Sequence, residues 1–374
     1  MRVLMVSKAC LVGSYQRKLE ELARLPDMEL TVVVPPSWRD ERGVVRLERA
    51  HTGGYEMVVE PIAFNGHFHI HFYPRLARQF QRIQPDVAHI DEEPYNLATA
   101  QAMWLAHKFG ARPLFFTWQN ILRHYPPPFS WIEQYNLRRA AFAIAGNADA
   151  VAVLRSKGYE GPVRVIPQFG VDPELFSPDR GAKTGEMFNV GYVGRLVTEK
   201  GVDDLIHALA GLSGPWQLSI VGSGPLRQSL EAEARALGVE ERVSFAEQIP
   251  SLQVPAHLRR LDVLVLPSRT RPNWKEQFGR VLVEAMSCGV AVIGSDCGEI
   301  PRVIGEAGLV FPEGDVEALR DCLARLMGDP ALRAELGQRG RARVLAHYTQ
   351  AQIAAQTYAV YQEILGQIQM TKSQ

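Results

Sequence analysis

The pair Glu276-x7-Glu284, split by Gln277-Phe278-Gly279-Arg280, has the residue types and spacing to hold a sugar attached to a phosphate. Leu261 to Ser268 reads as a short buried strand closed by Pro267 and Ser268. Arg280 to Ser287 reads as a helix, with Gly289 suited to its C-terminal cap. Glu276 then sits in the loop beyond a strand's C-terminal end, and Glu284 lies on the helix that follows. Between them the amides of Phe278 and Gly279 open the helix, where unpaired N–H groups and the macrodipole attract an anion. Each carboxylate can grip vicinal hydroxyls, so the stretch suits a sugar linked to a nucleoside diphosphate. Taken alone, the same spacing also describes two solvated glutamates on a surface loop and helix.

Two further stretches carry compatible chemistry. Gly194-Arg195-x4-Lys200-Gly201 is a strand-to-helix turn whose cations can both reach an anion held there. Arginine offers a bidentate fork and lysine a point charge, a combination suited to a diphosphate. The bland alternative is a pair of surface cations near a helix start. Gly222-Ser223-Gly224 lets backbone approach a ligand closely, and it is equally a tight turn.

The elements that must position these loops follow one grammar. Arg2–Val6 reads as a buried strand, Ser7–Tyr15 as a loop holding Gly13 and Ser14, 16–23 as a helix and 30–34 as a second strand. Strand, loop, helix, strand opens a parallel α/β sheet, whose ligands gather beyond the strands' C-terminal ends. The first half continues with strands expected at 86–90, 113–117, 150–153 and 163–167 and helices at 75–83, 95–109 and 131–141. Residues 37–73 give no clear pattern beyond a strand over 55–62; the alternation His67, His69, His71 reads as a half-exposed strand or a membrane- or acceptor-facing loop. A metal set there lacks a completing carboxylate or cysteine. The second half restarts at Phe188–Val193 and ends in helices at 318–327, 330–345 and 349–368. A linker over 168–185 separates domains 1–180 and 186–348. Two such doubly wound halves placed face to face would gather both sets of strand-end loops into one cleft.

Composition narrows the function classes. The 374 residues balance 41 basic against 41 acidic side chains. Residues 1–180 carry 21 Lys+Arg against 19 Asp+Glu, leaving 20 against 22, so nothing demands nucleic acid as partner. Cys10, Cys288, Cys297 and Cys322 are scattered without a C-x-x-C pair, which favours reduced structural thiols over disulfides or zinc. The chain opens directly on a strand, without a signal-peptide pattern, and no apolar run approaches the roughly 20 residues that span a bilayer. A cytoplasmic protein is expected, with peripheral contact to the inner face of a membrane left open through the aromatic and basic pieces at 37–75 and 118–135.

Taken jointly, the motifs resemble the retaining glycosyltransferase family four. The Gly194–Gly201 turn, Val221-Gly222-Ser223-Gly224-Pro225, Val265-Leu266-Pro267-Ser268, Glu276-x7-Glu284 and Gly298-Glu299-Ile300-Pro301 occur in the family's order. Asp86-Val87-Ala88-His89, Glu93-Pro94, Phe116-Thr117 and Ile166-Pro167-x2-Gly170-Val171-Asp172 extend the likeness through the first half. The resemblance implies the GT-B fold, with the C-terminal helix returning to the first domain. It implies retaining transfer from a nucleoside-diphosphate sugar to an acceptor hydroxyl, without metal or other cofactor, in surface polysaccharide or glycolipid assembly. By the same resemblance Arg195 and Lys200 hold the diphosphate, and Glu276 binds the donor sugar beside the Phe278 and Gly279 amides. Glu284 binds the ribose, Ser268 and the Gly222–Gly224 turn lie near ribose and base, Gly194 and Gln119 belong to the donor site, and Gly13 and Ser14 approach the transferred sugar. Family members often carry a histidine just after the strand ending at Thr117; Gln119 stands here and cannot titrate. No protein general base is assigned, and a donor phosphate oxygen takes the acceptor's proton. A sugar-nucleotide epimerase, a phosphorylase and a non-catalytic nucleotide-sugar binder are the alternatives on the same fold.

Overall fold

The computed structural model describes residues 1–40, 43–178, 187–250 and 253–366. The chain divides into two compact units, Met1–Gly170 with Gln350–Gln374, and Val171–Thr349.

The first unit is built on strands buried on both faces, as apolar runs such as Arg2–Val6 require of a parallel sheet. It runs β1 (Arg2–Val6), α1 (Arg17–Ala23), β2 (Glu29–Val34), an antiparallel hairpin of β3 (Ser37–Asp40) and β4 (Gly43–Arg46), and β5 (Glu56–Val59). There follow α2 (Leu76–Ile83), β6 (Val87–Ile90), α3 (Leu97–Lys108), β7 (Arg112–Thr117), α4 (Phe129–Arg139), β8 (Phe142–Ala145), α5 (Ala148–Ser156) and β9 (Val163–Val165). The sheet order is β5-β2-β1-β6-β7-β8-β9, parallel throughout. One core holds Leu76, Phe80, Met103 and Leu137 from α2, α3 and α4, the other Leu19 and Leu22 from α1 with Ile353 and Tyr361 from the C-terminal helix.

One sequence expectation fails here, and one is narrowed from a strand or loop to a loop. Residues 150–153 form no strand: they lie inside α5, whose N-terminus is capped by the Asn147 side chain accepting from the Ala150 amide. The strand is Phe142–Ala145, directly after the helix expected at 131–141; short apolar runs fit either state. The charged segment near Arg39 enters the β3–β4 hairpin, and its residues 41 and 42 lie outside the described residues. The three histidines form no strand but a turn-rich loop closed by the Ala63–Phe72 bridge. Among the described residues no three His, Cys, Asp or Glu side chains cluster as a metal would need.

The second unit repeats the plan. It runs β10 (Phe188–Val193), α6 (Val202–Ala210), β11 (Trp216–Val221), α7 (Arg227–Ala236), β12 (Val243–Ala246), α8 (Val254–Leu258) and β13 (Val263–Leu266). Then come α9 (Arg280–Ser287), β14 (Ala291–Ser295), α10 (Ile300–Ile304), β15 (Leu309–Phe311), α11 (Val316–Gly328) and α12 (Pro330–His347). Its parallel sheet has the order β12-β11-β10-β13-β14-β15. The unit begins at Val171, ahead of the expected boundary at 180, because its opening segment is tied to later helices. Arg341 donates to the carbonyls of Pro173 and Phe176, Ser287 to Phe176, and Arg259 to Ser177. The expected linker falls partly on 179–186, outside the described residues.

The last helix, α13 (Gln350–Ile364), belongs to the first unit, where it packs on α1. Its Tyr361 hydroxyl meets His89 Nδ1 of β6 at 2.6 Å, with both residues buried. Burial holds the His89 imidazole down at about 3.

Candidate active site

In the second unit the loops leaving β10, β11 and β13 are packed backbone against backbone, and glycines make this possible. A Cβ on Gly222 would stand 1.8 Å from the Gly194 carbonyl oxygen, and one on Gly224 2.3 Å from that of Leu196. The Leu196 amide donates to Ser223 at 2.9 Å across the same contact. Gly201 turns into α6 with φ +61°, and a Cβ there would lie 2.1 Å from the Pro267 carbonyl oxygen. Gly298 approaches the Glu276 carbonyl to the same degree. The stretches around Arg195, Gly222, Ser268 and Glu276 are thus one assembly.

Its charged groups meet at Glu276. Lys200 Nζ donates to Glu276 Oε2 at 2.5 Å, and the Ser268 hydroxyl donates to the same oxygen at 3.0 Å. The ammonium also lies 4.9 Å from the Trp274 ring centroid. Arg195 is held differently. The Tyr192 hydroxyl donates to its carbonyl at 2.7 Å, while its exposed guanidinium comes within 3.5 Å of Glu199. Phe278 and Gly279 lie two and three residues after Glu276, and Gly279, at φ +75°, is the residue from which α9 starts. Glu284 lies one turn into α9, buried, accepting from Arg280 Nε at 2.7 Å. Burial raises its carboxyl above the usual range, against the pull of Arg280.

Sequence reasoning passed over three supports of this assembly. Arg269 donates to Asp203 and Asp204 in the first turn of α6, and its amide donates to Glu199. These bonds and the Trp274 ring beside Lys200 tie the Lys200 turn to the Glu276 loop, while Tyr192 fixes the turn itself at Arg195. An arginine just past the Pro267-Ser268 strand end carries no sequence signal for that contact.

The first unit holds the other assigned residues. Gly13 is buried, and its amide donates to Glu48 Oε2 at 2.6 Å, so a sugar approaching that amide must displace a carboxylate. The carbonyl of neighbouring Ser14 accepts from Gln350 at 3.4 Å. Gln119, just past β7, is fixed by a buried cation. Lys157 Nζ donates to Gln119 Oε1 at 2.9 Å and to Glu133 at 2.5 Å, and these charged side chains are 5% and 6% exposed. Since an ammonium only donates, Oε1 must face Lys157, which turns the Nε2 donors the other way, toward Tyr125 at 3.4 Å.

Two parallel-sheet units of this kind, the second with cations, a carboxylate and a helix start at its strand-end loops, define a nucleotide-sugar glycosyltransferase of the GT-B fold. Residues 176–343 match the family model described as glycosyl transferases group 1, and residues 13–168 the glycosyl transferase 4-like domain. The chain is 30% identical over 338 residues to the GDP-mannose-dependent alpha-(1-6)-phosphatidylinositol monomannoside mannosyltransferase of Mycolicibacterium smegmatis, covering 84% of this chain and 85% of that one. A lipopolysaccharide core biosynthesis mannosyltransferase of Rhizobium leguminosarum is 30% identical over 236 residues, 58% of this chain and 65% of the relative. Among solved structures, HepE of Anabaena in complex with UDP superposes with a TM-score of 0.75 at 18% identity, covering 98% of this chain and 100% of that one. The protein belongs to the retaining glycosyltransferase family four, and transfers a sugar from a nucleoside-diphosphate sugar to an acceptor hydroxyl.

Proposed function

We propose that the donor is GDP-mannose and the acceptor a glycolipid met at an anionic membrane surface, with transfer independent of metal. The observation that carries the donor site is the convergence of Lys200 and Ser268 on Glu276 beside the start of α9. Lys200 and Arg195 bind the diphosphate and offset the charge on the departing GDP, as fixed dipoles and cations do at developing anions. The α9 amides at Phe278 and Gly279 share that anion, while Glu276 takes the mannose hydroxyls and Glu284 the ribose. The bond from the anomeric carbon to phosphate breaks as the acceptor oxygen bonds on the same face, and the acceptor's proton passes to a phosphate oxygen of GDP. The choice of GDP-mannose rests on the Mycolicibacterium relative, whose name also specifies an alpha product and a phosphatidylinositol mannoside acceptor.

The membrane part of the reading is supported by charge in the first unit. Between Glu60 and Asp86 the sequence has no acidic residue but three arginines, Arg75, Arg78 and Arg82. Between Glu93 and Asp149 its one acid, Glu133, is buried against Lys157, while Lys108, Arg112, Arg123, Arg138 and Arg139 supply five basic residues. The helices that carry most of these cations, α2, α3 and α4, pack side by side and also expose Trp104 (53%) and Trp131 (69%). Interfacial tryptophans amid cations suit an anionic lipid surface, at about 1 kcal/mol for each basic residue near it. Among the described residues no helix is long and apolar enough to cross a membrane.

The test is GDP or UDP release from GDP-mannose, GDP-glucose and UDP-glucose, with and without lipid extract, followed by the anomeric coupling of the product. Faster use of UDP-glucose, an inverted product, or loss of rate in EDTA would each overturn its part. Sedimentation with phosphatidylglycerol vesicles should fall when Arg75, Arg78 and Arg82 are each replaced by glutamate; unchanged sedimentation refutes the membrane face.

A further inference from the structure

A separate cavity of about 430 Å³ lies within the first unit, where β1, β6 and β7 end and the β3–β4 hairpin folds over. That volume is in the range of small-molecule sites. One part of its lining is aromatic, with Tyr15, Trp38, Phe68 and Trp118 presenting ring surface. The other part is acidic, formed by Asp91, Glu92 and Glu93 in the loop after β6.

The charges decide what it can hold. Among the described lining residues Lys8 is the one cation. It is paired with Glu92 and lies 4.6 Å from the Phe68 ring centroid and 5.4 Å from that of Trp38. Asp91 accepts from Ser7 at 2.6 Å and Gln168 at 2.9 Å, and Glu93 from the Thr117 hydroxyl at 2.6 Å and the Trp118 amide at 2.8 Å. Burial lifts the Glu93 carboxyl to about 7. A phosphate entering here would meet three acidic side chains against the one cation of the described lining, a net like-charge contact. A polyhydroxylated ring meets the opposite situation. Its apolar faces lie on the aromatic rings, and its O–H groups donate to carboxylate oxygens, which accept more than one bond each.

We propose that this cavity binds an uncharged sugar or cyclitol ring of the acceptor, and that it excludes a ring bearing phosphate. The proposal rests on the transferase reading above, and narrows the acceptor to a neutral polyol at the end seated in the first unit.

Saturation-transfer NMR on the full chain tests it with three probes: methyl α-D-mannopyranoside, myo-inositol and mannose 6-phosphate. The neutral rings should give signal at millimolar concentration, with the phosphate at least about fivefold weaker, the size of one like-charge contact at about 4 Å in bulk water. Trp38→Ala should weaken the neutral rings by about tenfold, the size of one aromatic contact, without changing GDP affinity. Asp91→Asn, which keeps the shape, should narrow the gap between mannose 6-phosphate and the neutral rings, a gain that misfolding does not produce. Absence of neutral-ring signal, tighter binding of mannose 6-phosphate, or an Asp91→Asn variant with unaltered selectivity overturns the proposal. GDP release from GDP-mannose in the same samples reports the donor reading separately. Release without ring binding sinks only the cavity assignment, and ring binding without release sinks only the donor.

Discussion

Replacing Lys157 by methionine should destabilise the first unit strongly, while replacing Lys157 and Glu133 together should not. The two side chains are almost wholly buried and 2.5 Å apart. Removing one leaves a carboxylate enclosed beside Tyr125 and Gln119, a loss of roughly 3–5 kcal/mol. The double substitution Lys157→Met with Glu133→Leu keeps a similar volume and leaves no charge behind, and such exchanges are neutral or stabilising by up to about 4 kcal/mol. Burial already raises the Glu133 carboxyl, so acid should neutralise it and soften the single variant's loss. The assay is urea unfolding of parent, singles and double between pH 5 and 8, closing a double-mutant cycle. A single-variant loss under about 1 kcal/mol would refute the burial argument. Turnover adds a second reading. The double variant frees Gln119 to flip its amide, so sugar transfer should slow about tenfold to a hundredfold in a stable protein, the size of a small misplacement. Full turnover in the double variant would mean that the buried pair does not position Gln119.

Other expectations follow from the same contacts. His89, held neutral at about 3, takes up a proton on unfolding below its ordinary value near 6.5, so its contribution to stability is lost as pH falls. At pH 5 the loss is about 2 kcal/mol. Glu93, raised to about 7, acts in the opposite sense and gains stability over the same fall. The histidine is therefore read from the difference: His89→Leu should become more stable relative to the parent between pH 7 and 5, and parallel melting curves would contradict this. Gly222→Ala places a methyl against the Gly194 carbonyl, and should cost roughly 1–3 kcal/mol of stability together with nucleotide affinity. Wild-type calorimetric melting and GDP affinity in that variant would show that the loops do not pack as described.

The donor half was the most legible from sequence because its loops use residues with local meaning. Gly194, Gly222 and Gly279 mark turns, Pro267-Ser268 ends a strand, and Arg280 to Ser287 is a helix over its whole expected span. The first unit was less so. The segments at 142–145 and 150–153 are equally apolar, and the N-cap at Asn147 decides between strand and helix. What sequence did not expose at all are contacts between distant positions. Glu48 on the Gly13 amide and Lys157 on Gln119 join residues 35 and 38 apart, and neither end carries a motif. The departure at Gln119 was visible in the sequence; the buried ion pair that holds it was not.

The most direct test of the donor site is calorimetric titration of GDP into the parent, Glu276→Gln and the double variant Lys200→Ala/Glu276→Gln, which avoids leaving an unpaired carboxylate. Glu276→Gln should keep GDP affinity while losing the added affinity of GDP-mannose, and loss of Lys200 should then weaken GDP by about ten- to a hundredfold, the worth of one charged hydrogen bond. Equal GDP affinity in all three would contradict the assignment of Lys200 to the diphosphate.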